Sequence, residues 1–277
     1  MIVVKTRAEL QERLNEAAAK SVIGFVPTMG ALHSGHCSLI DFAVENADYI
    51  VASIFVNPTQ FNDANDLKNY PRTIENDLKY LEQHGCDLVY IPDVEDVYHD
   101  KRSFFVDLNG LDTVMEGEFR PGHFDGVVDV VSRLFDIVKP DKAFFGEKDF
   151  QQLSIIKYIA ESLDVEIIGC PTVRESDGLA MSSRNMLLEE NYRKQAFVIY
   201  KSLIWAKKNY RKITVNDLKK EIENRITKSG KFIVEYVNIV ESDTLVSIDE
   251  WKDKNINCCV AVYAGKVRLI DNIKLNY

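Results

Sequence analysis

Along the first two-thirds of the chain, short apolar runs alternate with stretches whose apolar residues recur at helical spacing. Val22 to Val26 reads as a buried strand, and Tyr49 to Val56, Asp87 to Ile91, Lys142 to Phe145 and Val165 to Cys170 as further strands. Between them, His36 to Ala47 places Leu39, Ile40, Ala43 and Ala47 on one helical face. Thr73 to His84 does the same with Ile74, Leu78 and Leu81, and Gly85 follows as a stop signal. Val127 to Val138 and Phe150 to Leu163 complete the series. Strands and helices that alternate in this way predict an α/β fold: a mostly parallel sheet flanked by helices on both faces. Ligands of such sheets bind beyond the carboxyl ends of the strands.

The texture changes after Pro171. A polar stretch, Arg174 to Arg184, carries the turn signal Asp177-Gly178. Two helical stretches follow, Glu189 to Lys208 and Thr214 to Lys228, then three β-rich runs, Ile233 to Val240, Cys258 to Ala264 and Val267 to Ile270. Ala264-Gly265-Lys266 reads as the hairpin turn between the last two. The expected organisation is a larger domain over residues 1–172 and a smaller α+β C-terminal domain over residues 173–277. No internal repeat or low-complexity segment is apparent.

Composition narrows the class. Of 277 residues, 46% are hydrophobic and 28% charged, as in soluble globular proteins. The net charge of -9 disfavours wholesale nucleic-acid binding, which needs a basic face. It leaves room for a small basic pocket that takes a nucleotide. The five cysteines are odd in number, irregularly spaced and without a Cys-x-x-Cys pair, so reduced cytosolic thiols are expected rather than a disulfide framework or zinc site. Lys5, Arg7 and Glu9 interrupt any signal-peptide core, and no apolar run approaches the roughly 18 residues that span a membrane. The expected location is cytoplasmic.

Several segments carry candidate chemistry. His33-Ser34-Gly35-His36 follows the first predicted strand through Pro27-Thr28-Met29-Gly30 and opens a helix. A helix N-terminus presents unpaired N–H groups and partial positive charge, so it attracts phosphate. The two imidazoles can each donate a hydrogen bond to a phosphate oxygen. Taken alone, the tetrapeptide also fits two satisfied histidines at a helix start; a metal would need a third ligand, and none is spaced nearby. Phe145-Gly146-Glu147-Lys148-Asp149 lies between a strand and a helix, where Lys148 can neutralise phosphate charge and Asp149 can accept from a ribose hydroxyl. Alone, it equally fits a solvated charge cluster capping a helix. Met181-Ser182-Ser183-Arg184 offers two hydroxyls and a guanidinium on a mobile loop, suited to pyrophosphate, or is an ordinary polar linker in which Ser183 caps a short turn. In Phe55-Val56-Asn57-Pro58-Thr59-Gln60-Phe61, at the end of a strand, an amide side chain can hydrogen-bond a small polar substrate, or the segment is simply a turn fixed by Pro58. Arg120-Pro121-Gly122-His123 reads as a loop before a helix, Gln151 and Gln152 as neighbours pointing apart, and His84 and His99 as surface or structural.

These segments, in this order, resemble the pantothenate synthetase (pantoate–β-alanine ligase) family. The matching pieces are Pro27 to His36, Phe55 to Phe61, Tyr70 to Thr73, Arg120 to Phe124, Phe145 to Gln152, Asp177 to Asn185 and Arg268 to Asn272. The histidine motif by itself marks only the wider nucleotidyltransferase superfamily; the segments around Gln60 and Gly146 to Gln152 narrow it. The resemblance implies a Rossmann-like first domain and a C-terminal domain acting as a lid. It implies ATP-dependent condensation of (R)-pantoate with β-alanine through a pantoyl adenylate, releasing AMP and pyrophosphate, with Mg2+ accompanying ATP and a homodimer as the assembly. By motif position, Met29, Gly30, Ala31, Leu32, His33, Ser34, Gly35, His36, Gly146, Glu147, Lys148, Asp149, Val173, Met181, Ser182, Ser183 and Arg184 would bind ATP. Among them, His33, His36, Lys148 and Arg184 would be catalytic. Gln60 and Gln152 would hold pantoate, and Gln60 would also meet β-alanine. No carboxylate cluster identifies a protein ligand for a metal. Two rivals remain on the residues alone: transfer of AMP to a phosphate ester, and a nucleotide sensor without catalysis.

Overall fold

Six strands line up in parallel in the order β1-β4-β3-β2-β5-β6, in a computed structural model that describes residues 1–17, 21–61, 64–100, 102, 104–228 and 230–276. They are β1 (Ile2–Val4), β2 (Ile23–Thr28), β3 (Tyr49–Ile54), β4 (Leu88–Tyr90), β5 (Lys142–Gly146) and β6 (Glu166–Cys170). The helices among them are α1 (Arg7–Ala17), α2 (Ser34–Asn46), α3 (Ala64–Asn69), α4 (Ile74–Gln83), α5 (Val94–Val97), α6 (Glu116–Phe119), α7 (His123–Val138) and α8 (Phe150–Ala160). The alternation expected from the apolar periodicity is therefore present, as a parallel sheet. Phe25 and Val26 of β2, Val51 and Ala52 of β3 and Phe144 of β5 are wholly buried, which is why these strands read as unbroken apolar runs.

β2 has β3 on one side and β5 on the other. The chain steps from β2 to β3 in one direction and from β5 to β6 in the other. The strand order thus reverses between β2 and β5, and the crevice beyond their carboxyl ends is where doubly wound sheets take ligands.

The structure differs from the periodicity reading in places that have physical causes. β1 and α1 gave no pattern: Ile2 and Val3 are exposed on a short edge strand, and α1 buries only Leu10 and Leu14. α7 begins at His123 rather than Val127, because its first turn buries His123 and Phe124, which break the aliphatic pattern. The helical stretch from Glu189 is two helices, α9 (Glu190–Arg193) and α10 (Phe197–Asn209), and the break lets the Tyr192 ring meet Phe232 edge-on at 5.9 Å.

The chain divides into two compact units, one of Met1–Glu147 with Gln152–Pro171 and one of Lys148–Gln151 with Thr172–Tyr277. The second contains α9, α10, α11 (Val215–Thr227) and an antiparallel sheet of β7 (Phe232–Glu241), β8 (Ile256–Ala264) and β9 (Val267–Lys274). Its core gathers Leu203, Leu218, Ile222, Ile239 and Val260. Leu218 and Ile222, one helical turn apart on α11, are wholly buried, and burying each contributes about 2 kcal/mol. Among the described residues, no helix is long and apolar enough to cross a membrane.

Candidate active site

The loop after β2 is shaped by a residue that nothing in the sequence singled out. Gly30 and Ala31 both take positive φ, at 81° and 50°. This turns the N–H groups of Ala31 and Leu32 toward one carboxylate, that of Asp77 on α4, which they reach at 3.1 and 2.8 Å. The Thr73 hydroxyl donates to the same carboxylate at 3.0 Å, and Asp77 is 1% exposed. Successive backbone N–H groups closing on an anion form a nest, and a buried carboxylate is tolerated only with such partners. A side chain at Gly30 would start 3.0 Å from the Asp77 carboxylate. On α4's apolar pattern, Asp77 is just a polar position in the first turn, with no local mark of its role.

That loop delivers the chain to α2, whose N-cap is His33 in extended conformation. The Gly35 N–H donates to His33 Nδ1 at 3.1 Å, and the His33 N–H donates to His36 Nδ1 at 3.3 Å. The two histidines form a reciprocal cap of the kind Ser or Thr with Glu usually makes. The rings lie 4.2 Å apart, centroid to centroid. An Nδ1 that accepts cannot also carry the proton, so each neutral ring keeps its proton on Nε2. The cap therefore orients both imidazoles as Nε2–H donors at the positive end of a helix, while Ser34 is exposed beside them.

Gln60 ends a short 3-10 turn, Pro58–Gln60, just after β3. Its side chain is held at both ends: Oε1 accepts from Asn57 Nδ2 at 3.3 Å, and Nε2 donates to the Met29 sulfur at 2.7 Å. Asn57 is buried and is the hub. Its oxygen accepts from the Thr59 N–H at 3.3 Å and from the Tyr98 hydroxyl at 2.8 Å, and its amide also donates to the Gly126 carbonyl at 3.2 Å. α7 presses against this turn through Gly126, where a Cβ would lie 2.5 Å from the Thr59 carbonyl oxygen. His123 belongs to the same support, its Nδ1 lying 2.9 Å from the Gln60 carbonyl. The structure thus joins Gln60 to Met29 and to the His33 loop, at the carboxyl ends of adjacent strands. Gly146 ends β5 at the same end of the sheet, and among the described residues no heavy atom beyond Gly146 and its chain neighbours lies within 4 Å of the position a Gly146 Cβ would take. On α8, Gln151 is buried and Gln152 half-buried.

Lys148, Asp149, Val173, Met181, Ser182, Ser183 and Arg184 belong to the second unit. The Lys148 ammonium stands 3.5 Å from the Asp149 carboxylate. Residues 173–184 are not a loose linker. Arg174 and Ala180 form an antiparallel bridge, and the Met181 N–H donates to the Val173 carbonyl at 3.0 Å. Ser182, rather than Ser183, caps the short 3-10 turn Ser183–Leu187, its oxygen accepting from the Arg184 N–H at 3.3 Å. Arg174 grips Asp271 of β9 through two bonds, at 2.7 and 3.0 Å.

Other chemistries find little support. Burial pushes the Cys86, Cys170 and Cys258 thiols up to about 12, so they are not nucleophiles near neutrality. All five cysteines are buried and unbridged. Among the described residues, no group of three or more His, Cys, Asp or Glu side chains is placed to hold a metal ion. His84 pairs with Asp41 at 2.6 Å, and His99 contacts Arg7 and Asp100.

A family model described as pantoate-beta-alanine ligase matches residues 2–274. The chain belongs to the pantoate-beta-alanine ligase family. Its relatives in that family include the pantothenate synthetase of Azobacteroides pseudotrichonymphae, 49% identical, and that of Bacteroides thetaiotaomicron, 46% identical, each alignment covering 99% of both chains. Among solved structures, a Thermus thermophilus pantothenate synthetase superposes with a TM-score of 0.93 at 39% identity over the whole of both chains. A Francisella tularensis pantoate-beta-alanine ligase, solved with beta-gamma ATP and beta-alanine, gives 0.82 at 35% identity over 99% of this chain and 98% of its own. Pantoate-beta-alanine ligases thus share this chain's fold from end to end, both the parallel sheet and the smaller antiparallel one.

Proposed function

We propose that this enzyme condenses (R)-pantoate with β-alanine at the expense of ATP, through a pantoyl adenylate. The observation that carries the assignment of residues is the placement, after the adjacent strands β2 and β3, of two oriented Nε2–H donors and of an amide held against Met29. A carboxylate is a poor electrophile because its leaving group would be oxide. In the first step a pantoate carboxylate oxygen attacks the α-phosphorus of ATP, and the bond to pyrophosphate breaks. In the second, the β-alanine amine attacks the acyl carbon, loses a proton, and AMP leaves with the carbon–oxygen bonding pair.

Negative charge gathers on the phosphates in the first step, so donors fixed there in advance lower its barrier. His33 and His36 supply Nε2–H groups, and the α2 N-terminus adds its dipole and the neighbourhood of Ser34 and Gly35. Lys148, Ser182, Ser183 and Arg184 neutralise the departing pyrophosphate. Met29, Gly30, Ala31, Leu32, Gly146, Glu147, Asp149, Val173 and Met181 border the nucleotide. Gln60 and Gln152 hold pantoate, and Gln60 also meets β-alanine. Mg2+ accompanying ATP would supply further charge neutralisation on the phosphates, beside His33, His36, Lys148 and Arg184; among the described residues no group of His, Cys, Asp or Glu side chains is placed to cage it. Residues 1–172 hold ATP and pantoate, and residues 173–277 act as a lid that keeps water from the adenylate. The buried, unbridged thiols support a reducing cytosol as its location. The assembly is a homodimer, which light scattering tests directly.

The deciding experiment follows pyrophosphate release with each substrate omitted in turn. Release that requires pantoate, with pantothenate and AMP formed only when β-alanine is added, supports the reading. Release indifferent to pantoate contradicts it.

A further inference from the structure

Resting on that reading of Lys148, we propose that Asn272 is a positioning residue for the adenylation step, acting through the Lys148 main chain. Its side chain donates from Nδ2 to the Lys148 carbonyl at 3.0 Å. The side-chain amide is held from behind, since its Oδ1 accepts from the buried Asn257 at 3.3 Å, and the Asn272 main-chain N–H donates to Asp271 Oδ1 at 2.8 Å. Asp271 in turn is fixed by the two-bond grip of Arg174, whose guanidinium lies 3.7 Å over the Tyr200 ring. Arg174 also donates to the Gly178 carbonyl at 3.1 Å, inside the hairpin that ends in Met181 to Arg184.

One connected set of hydrogen bonds therefore spans both cationic segments of the second unit. It runs from the hairpin that carries Ser182, Ser183 and Arg184, through Arg174, Asp271 and Asn272, to the backbone of Lys148. A strand held in a sheet is a rigid mount, and a planar Arg fork fixes orientation as well as distance. The consequence is that the spacing between Lys148 and the Ser182–Arg184 turn is set by β9, not by the chain between them. Catalytic groups displaced by about 1 Å lose on the order of 100-fold in rate. Asn272 acts through the Lys148 carbonyl, and its effect falls only on the step that uses Lys148.

The test separates the two half-reactions. Pantoate-dependent exchange of pyrophosphate with ATP reports adenylation, and aminolysis of supplied pantoyl adenylate reports the second step. Asn272→Asp keeps the shape and the acceptor but loses the donor, and Asn272→Ala covers the case in which the aspartate variant fails to fold. Expected is a fall in exchange kcat approaching 100-fold, with pantoate KM and aminolysis at native values. Leu269→Ala, buried on the same strand, is the control for mere destabilisation and should lower the melting temperature without splitting the two rates. Equal losses in both half-reactions, or native exchange in either Asn272 variant, would overturn the proposal. Lys148→Ala locates such a failure. Native exchange in Lys148→Ala removes the reading beneath the proposal, whereas an inactive Lys148→Ala beside native Asn272 variants removes the proposal alone.

Discussion

In the first unit, the side chains of the candidate phosphate donors are oriented within four residues, at the end of a loop that Asp77 anchors from α4. His33 and His36 cap the helix that they begin, each bonded through Nδ1 to backbone two or three residues away. In the second unit, the candidate cations are fixed across the whole subdomain. Arg174 meets Asp271, 97 residues on, and Asn272 meets the Lys148 carbonyl, 124 residues back. The same electrostatic task is thus met once by local capping and once by a long-range network. A local cap forms as soon as its helix does. A network forms only with the complete sheet, so it should be the more vulnerable to remote change and the less visible in sequence.

Four predictions bear on that contrast. The largest effect belongs to the local donors. His36→Ala should leave the fold intact, since it removes one cap bond, but lower pantoate-dependent pyrophosphate exchange by about 100- to 1000-fold. Retained exchange would show that the cap is only structural. Second, Asp77→Ala strands two buried N–H donors, at about 1–3 kcal/mol each, and should lower both the urea midpoint and the exchange rate. A stable, active variant would mean that the His33 turn needs no distant support after all. Third, Gly126→Ala should cost about 1–3 kcal/mol and raise the KM for pantoate, because the new methyl must push the Gln60 turn away. An unchanged KM would separate Gln60 from pantoate.

The smallest effect is on acid stability and sharpens the picture of the second unit. Hydrogen bonds from Lys254 and Lys252 hold the Glu241 carboxyl down at about 2, against 4.5 unfolded. A carboxyl with a lowered native pKa stabilises fully above its unfolded value and loses that contribution as pH falls through the native one. Stability should therefore decline between pH 4.5 and about 2, and Glu241→Gln should flatten the decline without touching exchange at neutral pH. A variant that declines as steeply as the native protein would assign the acid sensitivity elsewhere.

The strands and the longer helices were legible because burial on both faces writes itself into β2, β3 and β5 as continuous apolar runs. The turn at His33 was legible because capping is local. The cap of the short 3-10 turn falls at Ser182 rather than Ser183, since cap position depends on where the chain leaves the extended conformation. The segment through Arg184 read as a linker because Arg174 gives no sign in sequence of its partner on β9. Asp77 carries no local mark because a buried polar residue on an amphipathic helix looks like any solvent-facing one.

By itself, the sequence determined the alternation of strand and helix, the helix-capping histidines and the family. Those depend on periodicity, on residues a few positions apart, and on motif order. The tertiary structure alone decided which carboxylate holds the Gly30 nest, what clamps Gln60, and how Lys148 is tied to the turn at Ser182. The contacts that decide them join residues far apart in the chain: Asp77 with Leu32, Met29 with Gln60, Arg174 with Asp271 and Asn272 with Lys148. Their existence depends on strand order and register, which no local pattern encodes.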